Sequence, residues 1–354
     1  MGNKKQIFLE SHNLNNIYFG FGQFNYWLIK SLAKQNTEFT LTVTAKNKSL
    51  IKDFEAVNFK KYHSFYRYKS LRIRKKYDLW HSMNQNTKIE PFHKIPYLLT
   101  VHNITHIKDL ENYKNDPVHQ RFQEKLNRSN AITYISNYAK NSTHQFFDVP
   151  DVPEYVIYNG NPIKEITISS DYKPSKKITA PFLFSIGEFT ARKNFASLVK
   201  MMEILPDFNL ILAGKNSTEN GQEIAKLIED KNLKDRIFLV GKISEADKQY
   251  YYQNCAAFVF PSLREGFGLP IIEAMRFGKP VFTSNNTSLP EIGGELAFYW
   301  EDYDPEYMAD VFIKGMHKFE ADKQLYREKM IARAQSFSWD EAAKQYLEVY
   351  KSLL

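Results

Sequence analysis

The chain has 354 residues, 43% of them hydrophobic, and a formal net charge of +8. That apolar content excludes a disordered protein, and the length exceeds what one core usually needs, so two domains are expected. No stretch approaches about 18 uninterrupted apolar residues, which excludes a helical membrane span, and the single cysteine, Cys255, excludes an intrachain disulfide. Met1-Gly2-Asn3-Lys4-Lys5 leads directly into a strand-like Ile7-Phe8-Leu9, so a soluble, cytoplasmic protein is expected. Cys255 precedes Ala256 and Ala257 and reads as a buried, inert thiol.

In the first half, strands are expected at 7–9, 39–43, 78–81, 97–101, 131–135 and 155–158, with helical patterns between them, the clearest over 23–33. Phe19-Gly20-Phe21-Gly22-Gln23-Phe24 precedes that helix as a loop. Its glycines either make a turn or let backbone N–H groups approach an anion. Between 60 and 76 lie Lys60, Lys61, Arg67, Lys69, Arg72, Arg74, Lys75 and Lys76, with no acid, interleaved with Tyr62, Phe65, Tyr66, Tyr68 and Leu71. This mixture suits contact with an anionic membrane, each charge adding about 1 kcal/mol near the lipid, or a solvated basic face over a partly buried aromatic edge. No nucleic-acid motif accompanies it, and nucleic acid is not expected as a partner. His102, in Thr100-Val101-His102-Asn103-Ile104, stands at a strand end, where it either points into a ligand crevice or is a core histidine satisfied by a carbonyl. His81, at the end of the neighbouring strand, is a lesser candidate for acceptor contact.

Composition shifts after Asn159-Gly160-Asn161-Pro162. Residues 163–180, with Ser169, Ser170, Pro174 and Ser175, are expected to link a domain at 1–162 to a second at 181–338. Strands follow at 182–186, 210–213, 237–240, 256–260 and 281–283. Alternating strands and helices in both halves give an α/β class with parallel sheets, as two Rossmann-like doubly wound domains facing across a cleft. Gly187-Glu188-Phe189-Thr190-Ala191-Arg192-Lys193-Asn194 directly follows the first strand of the second half. A glycine and then adjacent cations at a helix start make an anion site or an exposed basic helix end.

The most informative run is Pro261 to Glu273. A buried strand ends at Phe260, a glycine-bearing turn leaves the sheet, and Pro270 suits the first helical position, with Gly278 and Pro280 marking the stop. N–H groups from Gly266 to Leu269 and the helix dipole favour an anion there. Glu265 in the turn and Glu273 inside the helix would repel a bare phosphate, but carboxylates accept bonds from vicinal hydroxyls. A ligand carrying both phosphate and sugar hydroxyls resolves that conflict.

Glu265 to Met275 reads Glu-Gly-Phe-Gly-Leu-Pro-Ile-Ile-Glu-Ala-Met. It resembles the signature of the retaining glycosyltransferases of family 4, which have the GT-B fold. The resemblance implies that Glu265 binds donor-sugar hydroxyls and Glu273 the ribose. Arg192, Lys193 and the backbone at Gly187, Gly266, Phe267, Gly268 and Leu269 would hold the diphosphate, with Gly22 approaching from the first domain. The catalytic candidates are Glu265, His102, Arg192 and Lys193, with no metal and no cofactor. Glu188, Gln23 and Asn103 depart from the pattern, standing where some relatives carry Arg, Arg and Asp. The implied activity is transfer of a hexose, mannose favoured and GDP-mannose its donor, from a nucleoside diphosphate sugar to a glycan or lipid-linked glycan acceptor. Such members work in bacterial cell-surface polysaccharide assembly, at the inner face of the cytoplasmic membrane. A last helix at 339–354 would cross back to the first domain. The alternatives are a catalytically silent GT-B nucleotide-sugar-binding or scaffold protein, and a sugar epimerase of the same fold. Asp302-Tyr303-Asp304 mimics a metal site but sits before a helix, where capping is expected.

Overall fold

The computed structural model describes residues 4–17, 19–104, 107, 113–169, 171–179 and 181–354. The chain divides into two units, Met1–Pro162 with Phe337–Leu354, and Ile163–Ser336. Unit 1 carries β1 (Gln6–Glu10), β2 (Thr40–Ala45), β3 (Val57–Lys61), β4 (Leu79–Ser82), β5 (Tyr97–Val101), β6 (Ala131–Tyr134) and β7 (Glu154–Val156). These form a seven-stranded parallel sheet in the order β3-β2-β1-β4-β5-β6-β7. β4, β5 and β6 are buried on both faces, as their near-continuous apolar runs require when helices cover the sheet. The covering helices include α1 (Gly20–Gln35), α2 (Pro117–Arg128) and α3 (Asn137–Phe146). Phe8, Trp80, Tyr97, Leu99 and Ile132 belong to the core beneath them.

Unit 2 repeats the design. Its parallel strands are β8 (Phe182–Ile186), β9 (Asn209–Ala213), β10 (Ile237–Gly241), β11 (Ala257–Phe260), β12 (Val281–Ser284) and β13 (Phe298–Trp300), in the order β10-β9-β8-β11-β12-β13. Its helices are α4 (Phe195–Met201), α5 (Glu219–Asp230), α6 (Glu245–Asn254), α7 (Leu269–Arg276), α8 (Leu289–Gly293), α9 (Pro305–Ala321) and α10 (Lys323–Ser336). Leu183, Val199, Leu212, Val259 and Phe282 share one core. Thr167, Ser175 and Lys176 bind α6: Thr167 N–H donates to Gln249 Oε1 at 2.9 Å, Ser175 N–H to Asp247 Oδ1 at 2.9 Å, and Tyr251 Oη to the Lys176 carbonyl at 3.1 Å.

The strand order reverses beside β1 in unit 1 and beside β8 in unit 2. The loops leaving the carboxyl ends of β1 and β4, and of β8 and β11, therefore part and leave a crevice in each unit. The last helix, α11 (Trp339–Leu353), belongs to unit 1 as expected. Ser338 caps it by accepting from Glu341 N–H, and Ser31 of α1 donates to Asp340 at 2.9 Å. The chain reaches it past Gly160, where a Cβ would lie 2.1 Å from Trp339 N.

Two edge strands, β3 and β13, were not expected. β3 ends inside the basic segment, and β13 is three residues long, too short to show alternation. The glycine-bearing stretch 19–24 was expected as a loop, but Gly20 opens α1. Asp304 caps α9 by accepting from Glu306 N–H at 3.0 Å and Tyr307 N–H at 3.1 Å. Cys255 is 1% exposed, and burial pushes its thiol up to about 12, so it is inert.

Candidate functional site

The crevice of unit 2 brings three of the expected residues to one point. Gly187 follows β8, and a Cβ there would stand 3.0 Å from Lys193 Cε, so glycine gives the lysine stem its passage. A 3₁₀ turn, Ala191–Lys193, ends at Asn194 in the left-handed region, with φ 52°, a conformation Asn tolerates better than most residues. The loop after β11 is stitched to this turn by Leu263 N–H donating to the Arg192 carbonyl at 2.8 Å. Lys193 Nζ then passes over the Phe260 ring, 4.5 Å from its centroid.

All donors converge on one oxygen. Glu265 Oε1 accepts from Lys193 Nζ at 2.6 Å, Arg192 Nη1 at 2.7 Å and Ser262 Oγ at 2.6 Å. Oε2 takes no hydrogen bond among the described residues. Burial raises the Glu265 carboxyl, but Lys193 and Arg192 outweigh it and hold the group below the usual carboxylate range. For Lys193 burial wins, and its ammonium lies below an ordinary lysine despite Glu265. Arg192 Nη1 also donates to the Arg264 carbonyl at 2.6 Å, which fixes the guanidinium across the turn.

Gly268 caps α7 with φ 110°, a conformation that other residues rarely adopt, and a Cβ there would lie 2.9 Å from Leu289 Cδ2. Leu269 is the first helical residue, so Pro270 falls second, one place later than expected. Ser288 Oγ shares its one proton between the carbonyls of Glu265 and Phe267, at 3.0 and 2.9 Å, and Thr287 Oγ1 accepts from Glu265 N–H at 3.0 Å. The turn is thus held rigid from α8. Glu273 has separate partners: Lys248 Nζ at 3.1 Å on Oε1 and Tyr252 Oη at 2.8 Å on Oε2, both from α6. Glu188, where some relatives carry a cation, pairs with Lys215 at 3.3 Å.

In unit 1, Gly22 lies in the first turn of α1, where a Cβ would meet the Asn16 carbonyl oxygen at 2.0 Å. The chain's own packing therefore demands glycine there. His102, at the end of β5, is 4% exposed; its backbone N–H donates to Gln85 Oε1 at 3.0 Å and its ring Nε2 to the Met83 carbonyl at 2.9 Å. That bond sets the tautomer and leaves Nδ1 an acceptor with no hydrogen bond among the described residues. The ring stands edge-on to Phe21 and Phe24, and burial lowers its pKa to about 4, so it is neutral near pH 7. His81 is a correction: it is fully buried, with Nδ1 on Tyr350 Oη and Nε2 on Thr100 Oγ1, both at 2.8 Å, and cannot reach an acceptor.

Sequence reasoning missed Ser262, Lys248 and Tyr252, which hold the two glutamates. It also missed a pair at the crevice of unit 1, His12 Nδ1 on Glu10 Oε1 at 2.7 Å, with the imidazole stacked on Tyr62. A histidine two residues beyond a glutamate at the end of the first strand was the available signal. A cavity of about 490 Å³ bounded by Tyr113, His119, His144 and Phe147 contains none of the expected site residues.

Two parallel doubly wound units, one with cations and a carboxylate gathered beside a helix N-terminus at its strand reversal, define the GT-B class of glycosyltransferases. Residues 169–337 match the family model described as Glycosyl transferases group 1. The chain is 31% identical over 289 residues to an Escherichia coli serotype-specific mannosyltransferase, WbdA, covering 75% of this chain and 34% of that protein. It is 28% identical over 265 residues to the Escherichia coli O-antigen chain mannosyltransferase B, covering 70% and 66%. Its fold matches sucrose-phosphate synthase from Thermosynechococcus elongatus with a TM-score of 0.76 at 19% identity, covering 99% of each chain. Residues 169–337, most of unit 2, are thus similar to the group 1 glycosyl transferases. The chain spans about a third of the length of the WbdA relatives it matches.

Proposed function

We propose that the chain is a retaining glycosyltransferase that moves a hexose, mannose in the favoured reading, from a nucleoside diphosphate sugar such as GDP-mannose to a lipid-linked glycan. The acceptor would belong to bacterial cell-surface polysaccharide assembly at the inner face of the cytoplasmic membrane. The mannosyltransferase relatives support the sugar and the setting. Exposed Phe65, Tyr68 and Leu71 among the cations of 60–76 support contact with an anionic membrane, and no described helix is long and apolar enough to cross one.

The observation that carries this reading is the one-sided ligation of Glu265. Its Oε1 is saturated by Lys193, Arg192 and Ser262 while Oε2 remains open. Oε2 can accept a sugar hydroxyl. Lys193 has three donors and Arg192 five, so both keep N–H groups for the diphosphate without leaving Glu265. The anomeric C–O bond breaks with its electron pair remaining on the diphosphate. Arg192, Lys193 and the α7 N-terminus stabilise that growing charge. The acceptor hydroxyl attacks from the same face, and its proton passes to the departing phosphate oxygen. Neutral His102 offers Nδ1 to a donor-sugar hydroxyl, and Glu273, clamped by Lys248 and Tyr252, keeps lone pairs for the ribose.

Nucleotide release from GDP-mannose, UDP-glucose and UDP-N-acetylglucosamine, with and without a lipid-linked acceptor, tests the assignment. Acceptor-dependent release, highest with GDP-mannose, is expected, with retained anomeric configuration by NMR of the product. Glu265→Gln should cost about 1.5–3 kcal/mol in kcat/KM, the worth of a charge-assisted hydrogen bond. Tight donor binding with no acceptor-dependent release would overturn transfer, and an inverted product would overturn retention.

A further inference from the structure

Unit 1 contains a cavity of about 400 Å³ between the 67–72 segment, Lys88 and α2. Its floor is a buried ionic cluster. Lys125 is 2% exposed and donates to Ser82 Oγ at 2.9 Å and Thr87 Oγ1 at 2.6 Å, and its Nζ lies 3.0 Å from Glu90 Oε1. Arg128 takes the other oxygen of Glu90 at 2.6 Å, so this carboxylate is spent. Through Ser82 the floor reaches the carboxyl end of β4, beside the strand reversal.

The walls are cationic and largely unpaired. Arg67, Arg72, Lys88 and Arg121 line the cavity, and none has a carboxylate partner among the described residues. Glu124 is the other acid on the wall, which leaves six cations against two carboxylates. Arg72 Nε is buried with no hydrogen-bond partner among the described residues. Its donor is thus an exception among buried polar groups, which are otherwise satisfied. Arg67 is held over the Tyr68 ring, its guanidinium 5.0 Å from the centroid, and its Nη2 donates to Tyr68 Oη at 3.0 Å. Tyr68 and Leu71, 54% and 50% exposed, put apolar surface beside this charge.

Planar guanidinium forks match the oxygens of a phosphoryl group, and a cavity of this size suits a small ligand. We propose that this cavity is a second anion site, one that binds a phosphate or diphosphate group carried on a lipid. It rests on the acceptor reading above only for the lipid; the phosphoryl chemistry stands on the cavity itself.

The first test is calorimetric titration of the chain with inorganic pyrophosphate at fixed ionic strength. Added to Lys193→Ala, which removes the unit 2 diphosphate contact and should retain this site, the double substitution Arg72→Gln/Arg121→Gln should weaken pyrophosphate binding at least tenfold. The second arm is flotation with phosphatidylglycerol–phosphatidylcholine vesicles against phosphatidylcholine alone. Loss of vesicle binding in the double variant, with pyrophosphate binding too weak to measure in wild type, assigns the lipid headgroup as the source and supports the site. Unaltered binding of both probes by the double variant overturns it, as does loss of all pyrophosphate binding in Lys193→Ala. Donor hydrolysis in the absence of acceptor should be unchanged in the double variant, which separates this proposal from failure of the glycosyl-transfer reading. If near-UV circular dichroism shows the double variant misfolded, Arg67→Gln/Lys88→Gln, both at exposed positions, carries the same expectation.

Discussion

Glu90 in unit 1 and Glu265 in unit 2 are each bound by one buried lysine and one arginine whose side chain is 39% exposed. The lysine contacts are 3.0 and 2.6 Å and the arginine contacts 2.6 and 2.7 Å. The difference lies in which oxygens are used. Glu90 divides its partners, Lys125 and Tyr97 on Oε1 and Arg128 on Oε2, while Lys125 spends its other donors on Ser82 and Thr87. Glu265 receives every partner on Oε1. A saturated ion cluster can only hold its surroundings in place. One with an open acceptor and spare donors can bind a ligand without first breaking itself, and it keeps its desolvated charges ready for that purpose.

The sharpest way to break this comparison is to remove the carboxylate from the saturated cluster. Glu90→Gln leaves buried Lys125 uncompensated and should cost about 3–5 kcal/mol of stability by thermal or chemical denaturation. The folded fraction should still release nucleotide from the donor, so selective loss of turnover would show that the unit 1 cluster is more than a floor. Lys193→Ala comes next, expected to cost about 3–4 kcal/mol in kcat with the fold retained. Near-normal turnover would reduce the unit 2 cluster to the structural role of its counterpart.

The smallest effect is in pH. Glu90 and Glu265 both have carboxyls held below their ordinary range, because paired cations outweigh the burial that raises them. Their stabilisation is therefore complete above the usual carboxylate pKa and is lost as pH falls through the depressed folded values. Acid denaturation followed by circular dichroism should report both clusters. Lys193 differs, since burial lowers its ammonium. The alkaline limb of kcat/KM should then fall below the ordinary lysine value of about 10.4. A limb at or above that value would remove Lys193 as the charge that turnover needs.

The central strands were legible because those buried on both faces carry apolar runs with little ambiguity, as 97–101 and 182–186 show. β3 and β13 were not, since these edge strands are half-exposed, and their pairing is decided by the neighbour rather than by their own pattern. The Glu265 turn was legible because its glycines and the adjacent Pro270 demand special backbone geometry at fixed positions. Gly22 had a readable identity and an unreadable reason: nothing in the string places the Asn16 carbonyl against it.

By itself the sequence determined the α/β class, the parallel strands of both halves and the residue types needed at the Glu265 turn. Those follow from local periodicity and backbone chemistry, which act over a few residues. Tertiary structure alone decided that Arg192 and Lys193 meet on one oxygen of Glu265, that Glu273 is held by Lys248 and Tyr252, and that His81 is buried under α11 while His102 keeps one nitrogen open. It alone gathered Arg72, Lys88 and Arg121 from separate segments around one cavity. Hydrogen-bond partners and desolvation depend on contacts between residues tens or hundreds of positions apart, which only the folded chain brings together.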